Sequence, residues 1–211
     1  MEDTYQQKLN PWFSIWTKPR ATIQQIVATN PQRLVLLLAA LGGLSTVLDR
    51  ASMRNLGDKL DWPVLLLIAA VVGPIAGIAT LYIGGALLRW TGNWIGGQGS
   101  ALHIRAAMAW SSVPEIWGLL LWIPALAVFG QELFTSTMPR VEANPSLNIV
   151  LLGFAAISLV IGIWQFVVFL KCLGQVQGFS AWKALGNSIM ASMVVLFPII
   201  IVVVVLTLVN R

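Results

Sequence analysis

The sequence predicts an all-α fold: an integral membrane bundle of five transmembrane helices with an N-terminal amphipathic interfacial helix. Of 211 residues, 57% are hydrophobic and only 10% are charged. That is too little polar surface to face water on all sides, so lipid must solvate much of the chain. The apolar residues fall in five runs, near 33–49, 62–88, 113–130, 147–170 and 186–209. Each comes close to the roughly 20 helical residues that cross a hydrocarbon core of about 30 Å. Nothing alternates like a barrel strand, and a backbone in lipid must satisfy itself internally, which leaves helices. Residues 1–32 read as a cytoplasmic tail with the interfacial helix, and 33–211 as the five-span domain.

The N-terminal segment carries Glu2 and Asp3 with no short apolar core and cleavage site behind them. It does not read as a secretory signal, so the first apolar run is expected to stay in the membrane. In "TKPRATIQQIV", Thr17 is placed to cap a helix, Pro19 suits its first turn, and Ile23, Ile26 and Val27 share a face. Lys18 and Arg20 would then meet anionic headgroups.

Basic residues orient the bundle. With the N-terminus cytoplasmic, that side receives Lys8, Lys18, Arg20, Arg33, Arg89, Arg105, Lys171 and Lys183. Arg50, Arg54, Lys59, Arg140 and Arg211 fall on the other side, with Asp49, Asp58, Asp61, Glu132 and Glu142. The bias favours N-terminus in and C-terminus out, in a cell (inner) membrane. Trp12, Trp16, Trp90, Trp94, Trp110 and Trp182 would sit near the inner interface, the depth amphipathic indoles prefer. The net charge of +5 is thereby assigned to the membrane surface and not to nucleic acid.

Two glycine turns resemble each other. "GQGSALHIRAAMAW" and "VQGFSAWKALGNSIM" each offer a serine, Ser100 or Ser180, then a basic residue and alanine, Arg105–Ala106 or Lys183–Ala184. They outline a weak tandem repeat of spans two and three with spans four and five. Arg105 and Lys183 join Lys18 and Arg20 as candidate headgroup contacts. Small residues at a spacing of four, Gly73 and Gly77 with Gly84 beyond, and Ser158 with Gly162, predict close helix packing. Pro74 predicts a bend.

The stretch "NPWFSIWTKPRATIQQIVATNP", with "GGQGSALHIRAAMAWSSVP", resembles the YIP domain family (Ypt- and Rab-interacting proteins), in its prokaryotic branch. The match rests on the Asn10–Pro11–Trp12 opening, the turn at Gly96 to Ser100, and Trp110 with Pro114. The resemblance implies a five-span membrane protein with a cytoplasmic N-terminus. In eukaryotic members it implies vesicle trafficking through small GTPases. Here the cytosolic stretch is short and "DWP" at Asp61 to Pro63 only faintly echoes the acidic-aromatic-Pro motif, so Rab binding is not carried over.

Enzymatic constellations are not visible. His103 has no H-E-x-x-H partner, Cys172 stands alone, and no nucleophile elbow or phosphate loop occurs. No catalytic residue, metal or cofactor is expected. The turns at Gly96 to Gly99 and Gly174 to Gly178 read as helix caps. One carboxylate stands out: Glu115, in the apolar stretch that follows "SSVP". With Ser112 as N-cap it completes a Ser-x-x-Glu capping box, Pro114 sitting harmlessly in the first turn. Alternatively the break lies inside the leaflet, and Glu115 belongs to a polar intramembrane site with Trp110, Ser111, Ser112, Gln165 and Asn187. The expected function is accordingly a non-enzymatic membrane-organising or adaptor protein, its partners the bilayer and either further copies of itself or other membrane proteins. The alternative is a transporter, channel or lipid-moving protein built around Glu115.

Overall fold

The computed structural model describes residues 9–209. Among them every element is helical, and five helices are long and apolar enough to cross a membrane. Two short helices come first, α1 (Pro11–Thr17) and α2 (Pro19–Thr29). The first span is α3 (Val35–Met53) and the second is α4 (Trp62–Trp94). The third is a broken rod, α5 (Ala101–Ser111) followed by α6 (Val113–Phe129). A single-turn helix, α7 (Pro139–Glu142), precedes the last two spans, α8 (Pro145–Gln177) and α9 (Ala181–Val209).

Asn10 caps α1 by accepting from the Trp12 N–H at 3.2 Å. That earlier start absorbs Thr17 as the last residue of α1, so Thr17 does not cap α2. Lys18 holds the N-cap position without a side-chain bond, and Thr22 Oγ1 lies 2.8 Å from the Lys18 carbonyl. The predicted apolar face of α2 is present, but it is turned inward. Ile23 and Ile26 are buried in one cluster with Trp110, Val168 and Cys172. Three further bonds latch this end: Trp164 Nε1 donates to the Trp16 carbonyl, Trp110 Nε1 to that of Arg33, and the Cys172 thiol to that of Pro19. Trp110 is fully buried, so it belongs to the core and not to the aromatic belt. Trp90, Trp94 and Trp182 are exposed, as a belt requires.

At 33 residues each, α4 and α8 are about 50 Å long, well beyond the roughly 30 Å of hydrocarbon. Their surplus turns project at the α2 end, where two of the buried clusters lie. Mid-span residues such as Leu67, Ile75, Leu159 and Ile163 are instead exposed. Lipid covers that surface.

The closest crossing joins α3 to α4. A Cβ on Gly43 would fall 2.7 Å from Gly77 Cα, and one on Gly73 would fall 2.7 Å from Leu44 Cα. Glycine there lets the two backbones touch, which in lipid supplies the packing that hydrophobicity cannot. Gly84 meets only the end of Met108. The other expected seam is absent: a Cβ on Gly162 would meet nothing within 4 Å, and Ser158 is exposed, so this face of α8 is open. Helix α4 stays helical through Pro74.

Candidate functional site

The site begins at the break between α5 and α6. Pro114 has no N–H to give the preceding turn, so the helical ladder weakens there. Serine hydroxyls take up the slack: Ser111 Oγ donates to the Met108 carbonyl at 2.8 Å and Ser112 Oγ to that of Ala109 at 2.7 Å. Ser112 keeps helical dihedrals, φ −80° and ψ −3°, and its N–H is turned back on α5, 3.3 Å from the Ala109 carbonyl.

That geometry overturns the capping box. A capping serine has extended dihedrals and an N–H free for the glutamate. Ser112 has neither, because α5 runs into α6 almost without pause. The Glu115 carboxylate turns outward, and its Oε2 accepts from Gln165 Nε2 on α8 at 3.0 Å. From Glu115 to the far end of α6 at Phe129 is 14 residues, about 21 Å of helix. Measured from that end, Glu115 lies about two-thirds of the way across the hydrocarbon.

Around this pair α3, α6 and α8 enclose a cavity of about 240 Å³, walled by Ser45, Asp49, Glu115, Gly118, Trp122, Ser158, Ile161, Gly162 and Gln165. A second, more apolar cavity of about 470 Å³ shares Asp49, Gly118, Trp122 and Ser158 with it, and runs on past Met53, Leu133, Leu151 and Phe154. On the other side, Glu115 and Ser112 also border a cavity of about 190 Å³ against α4, with Thr46, Thr80 and Arg50. The exposed residues Ser158 and Gly162 put the mouth of the polar cavity on the lipid-facing side of α8.

The residues proposed as Glu115's neighbours divide. Gln165 touches it. Trp110 and Ser111 are turned into the core and the α5 backbone. Asn187 belongs elsewhere: its Nδ2 donates to the Leu88 carbonyl at 3.0 Å and its Oδ1 accepts from the Thr91 hydroxyl at 2.6 Å. Gln177 completes that second network, donating to Leu88 and accepting from the Gly99 N–H at 3.2 Å. It fastens α8 and α9 to the end of α4, and among the described residues no buried side-chain polar atom lacks a partner. Asn187 lies near the start of α9, whereas Gln165 lies three turns up α8, so one site cannot hold both.

Sequence reasoning missed Asp49, Ser45, Trp122 and Ser158. Ser45 and Asp49 are four apart on α3, which stacks them on one face, and that spacing was a usable signal. Glu132 was placed only as an outer charge. It performs the capping role expected of Glu115, accepting from the Arg140 and Val141 N–H groups at 3.0 and 3.2 Å at the start of α7.

The candidate headgroup residues gather at the α2 end. Lys18, Arg20 and Lys183 are exposed there. The Arg105 guanidinium lies 4.6 Å from the Tyr82 ring centroid, and Lys183 Nζ lies 5.7 Å from that of Phe179. Ser100 and Ser180 cap their helices identically, accepting at 3.2 Å from the N–H of His103 and of Lys183. Gly96 and Gly178 both carry positive φ, 80° and 77°.

A family model, the Yip1 domain, matches residues 13–205. The chain belongs to the Yip1 domain family. The Yip1 match opens within α1, so it takes in both N-terminal helices, and it runs through all five spans. The protein is therefore a multi-pass membrane protein of the Yip1 family. Comparison with curated proteins and with solved structures gives no match. Among the described residues no group of three or more His, Cys, Asp or Glu could hold a metal ion.

Proposed function

We propose that this Yip1 protein is a non-enzymatic membrane-organising protein that engages amphiphiles of its own bilayer in the cavity at Glu115 and Gln165. It would lie in the cell's inner membrane with its N-terminus cytoplasmic and its C-terminus opposite. The observation that carries the reading is the placement of Glu115: half-buried, within an apolar span, paired across helices, and bordering open space. A carboxylate at that depth is costly and is kept where it has a use. The cavity mouth lies among lipid-facing residues, so a ligand can arrive sideways from the membrane.

An adaptor acting only through helix packing is the second reading. The open face of α8 favours it, and it requires no cavity. Ser158→Trp separates the two, because Ser158 is exposed and borders both the polar and the apolar cavity. Protein in lipid nanodiscs is released into native mass spectrometry and its retained lipids are counted. Retention by wild type and its loss in Ser158→Trp, with thermal melting unchanged, is the expected result. Equal retention by both proteins would remove the cavity from the function.

A further inference from the structure

Resting on that reading, we propose the class of amphiphile: one with a protonated primary amine, its ammonium in the polar cavity and an acyl chain in the apolar one. The walls of the polar cavity contain two carboxylates, Asp49 and Glu115, and neither lysine nor arginine. Arg50 borders the separate cavity on the α4 side. An anionic headgroup would meet like charge at low dielectric, where the repulsion is barely screened. An ammonium would meet opposite charge.

Hydrogen-bonding capacity narrows the choice. Carboxylate, amide and hydroxyl oxygens on Glu115, Asp49, Gln165, Ser45 and Ser158 are acceptors. A primary ammonium offers three N–H donors to them, whereas a quaternary ammonium offers none. Size assigns the rest of the molecule. A polar cavity of about 240 Å³ admits a headgroup and not a whole lipid. The apolar cavity that shares its walls has the chemistry of an acyl-chain cleft. It lies nearer the far ends of α3 and α6, so a lipid seated this way holds its headgroup below its chain.

The test uses the full chain in nanodiscs of phosphatidylethanolamine, phosphatidylcholine and phosphatidylglycerol in equal parts, with retained lipids read by native mass spectrometry. Wild type is expected to enrich phosphatidylethanolamine over phosphatidylglycerol roughly tenfold, a ratio that corresponds to about 1.4 kcal/mol. Glu115→Gln with Asp49→Asn keeps acceptors at both positions but removes the charge. It should still retain lipid, with the enrichment reduced to near unity. Lipid retained without amine preference, or with phosphatidylcholine held equally well, would overturn this inference and leave the cavity reading standing. A wild type that retains no lipid would bring down both. Displacement by free ethanolamine as readily as by the lipid would overturn the acyl-chain half.

Discussion

Gln165 Nε2 and Glu115 Oε2 lie 3.0 Å apart, one on α8 and one on α6, bridging helices 50 residues apart in the chain. Stranding one partner of a buried hydrogen bond costs about 1–3 kcal/mol. Glu115→Ala strands the Gln165 amide and should lower stability by that order in thermal melts followed by circular dichroism. Glu115→Gln keeps an acceptor and should lose less. A Glu115→Ala protein as stable as wild type would remove the bridge from the fold's energetics.

The glycine crossing makes a sharper demand. Gly43→Ala or Gly77→Ala drives a methyl group into the backbone of the facing helix, with no side chain free to yield. Overpacking of this kind costs about 1–3 kcal/mol. Gly162→Ala faces open space and should change melting by less than about 0.5 kcal/mol. Equal effects at Gly77 and Gly162 would contradict the α3–α4 contact.

The network beneath the bundle predicts an order. Gln177→Leu leaves the buried Gly99 N–H without its acceptor, a loss of about 1–3 kcal/mol. Asn187→Leu should cost less, because Thr91 still faces the Leu87 carbonyl at 2.9 Å and Leu88 still accepts from Gln177. Chemical denaturation of the two variants compares them directly, and the reverse order would count against the assignment.

Glu132 supplies the cap at α7. Glu132→Ala should destabilise by about 0.5–2 kcal/mol, as lost caps do, and should loosen the α6–α8 connection in hydrogen exchange. No change in exchange at Arg140 and Val141 would argue against that role.

Topology has its own check. Single cysteines at Thr4 and Asn210, both outside the described residues, are placed in a Cys172→Ala background. Membrane-impermeant maleimide should reach them from opposite faces. Labelling from one face would exclude five crossings.

The spans were legible because length and apolarity are local properties, and the lipid demand for helices does the rest. The contacts between spans were not. Gly73 and Gly77 gave a correct signal, but the same spacing at Ser158 and Gly162 named a seam that the chain leaves open, since spacing does not say which neighbour is present. Ser112 and Glu115 formed a faultless capping pattern, yet the continuity of α5 into α6 removed the free N–H it needs. Glu132 became the cap by reaching across the turn to Arg140 and Val141, a fold-back that apolar periodicity does not foretell. Gln165 was legible as a partner for Glu115 because few polar groups lie at that depth. Asn187 was misassigned for want of the vertical register between α8 and α9.

The central claim is that the Glu115–Gln165 pair makes a working pocket and is not merely a structural bridge. Replacing both partners by leucine tests this most directly, since removing a hydrogen-bonded pair together is often nearly neutral for folding. The Glu115→Leu, Gln165→Leu protein should melt within about 1 kcal/mol of wild type and emerge from nanodiscs with its lipid gone. A double variant that keeps its fold and also keeps the wild-type complement of lipid would contradict the account.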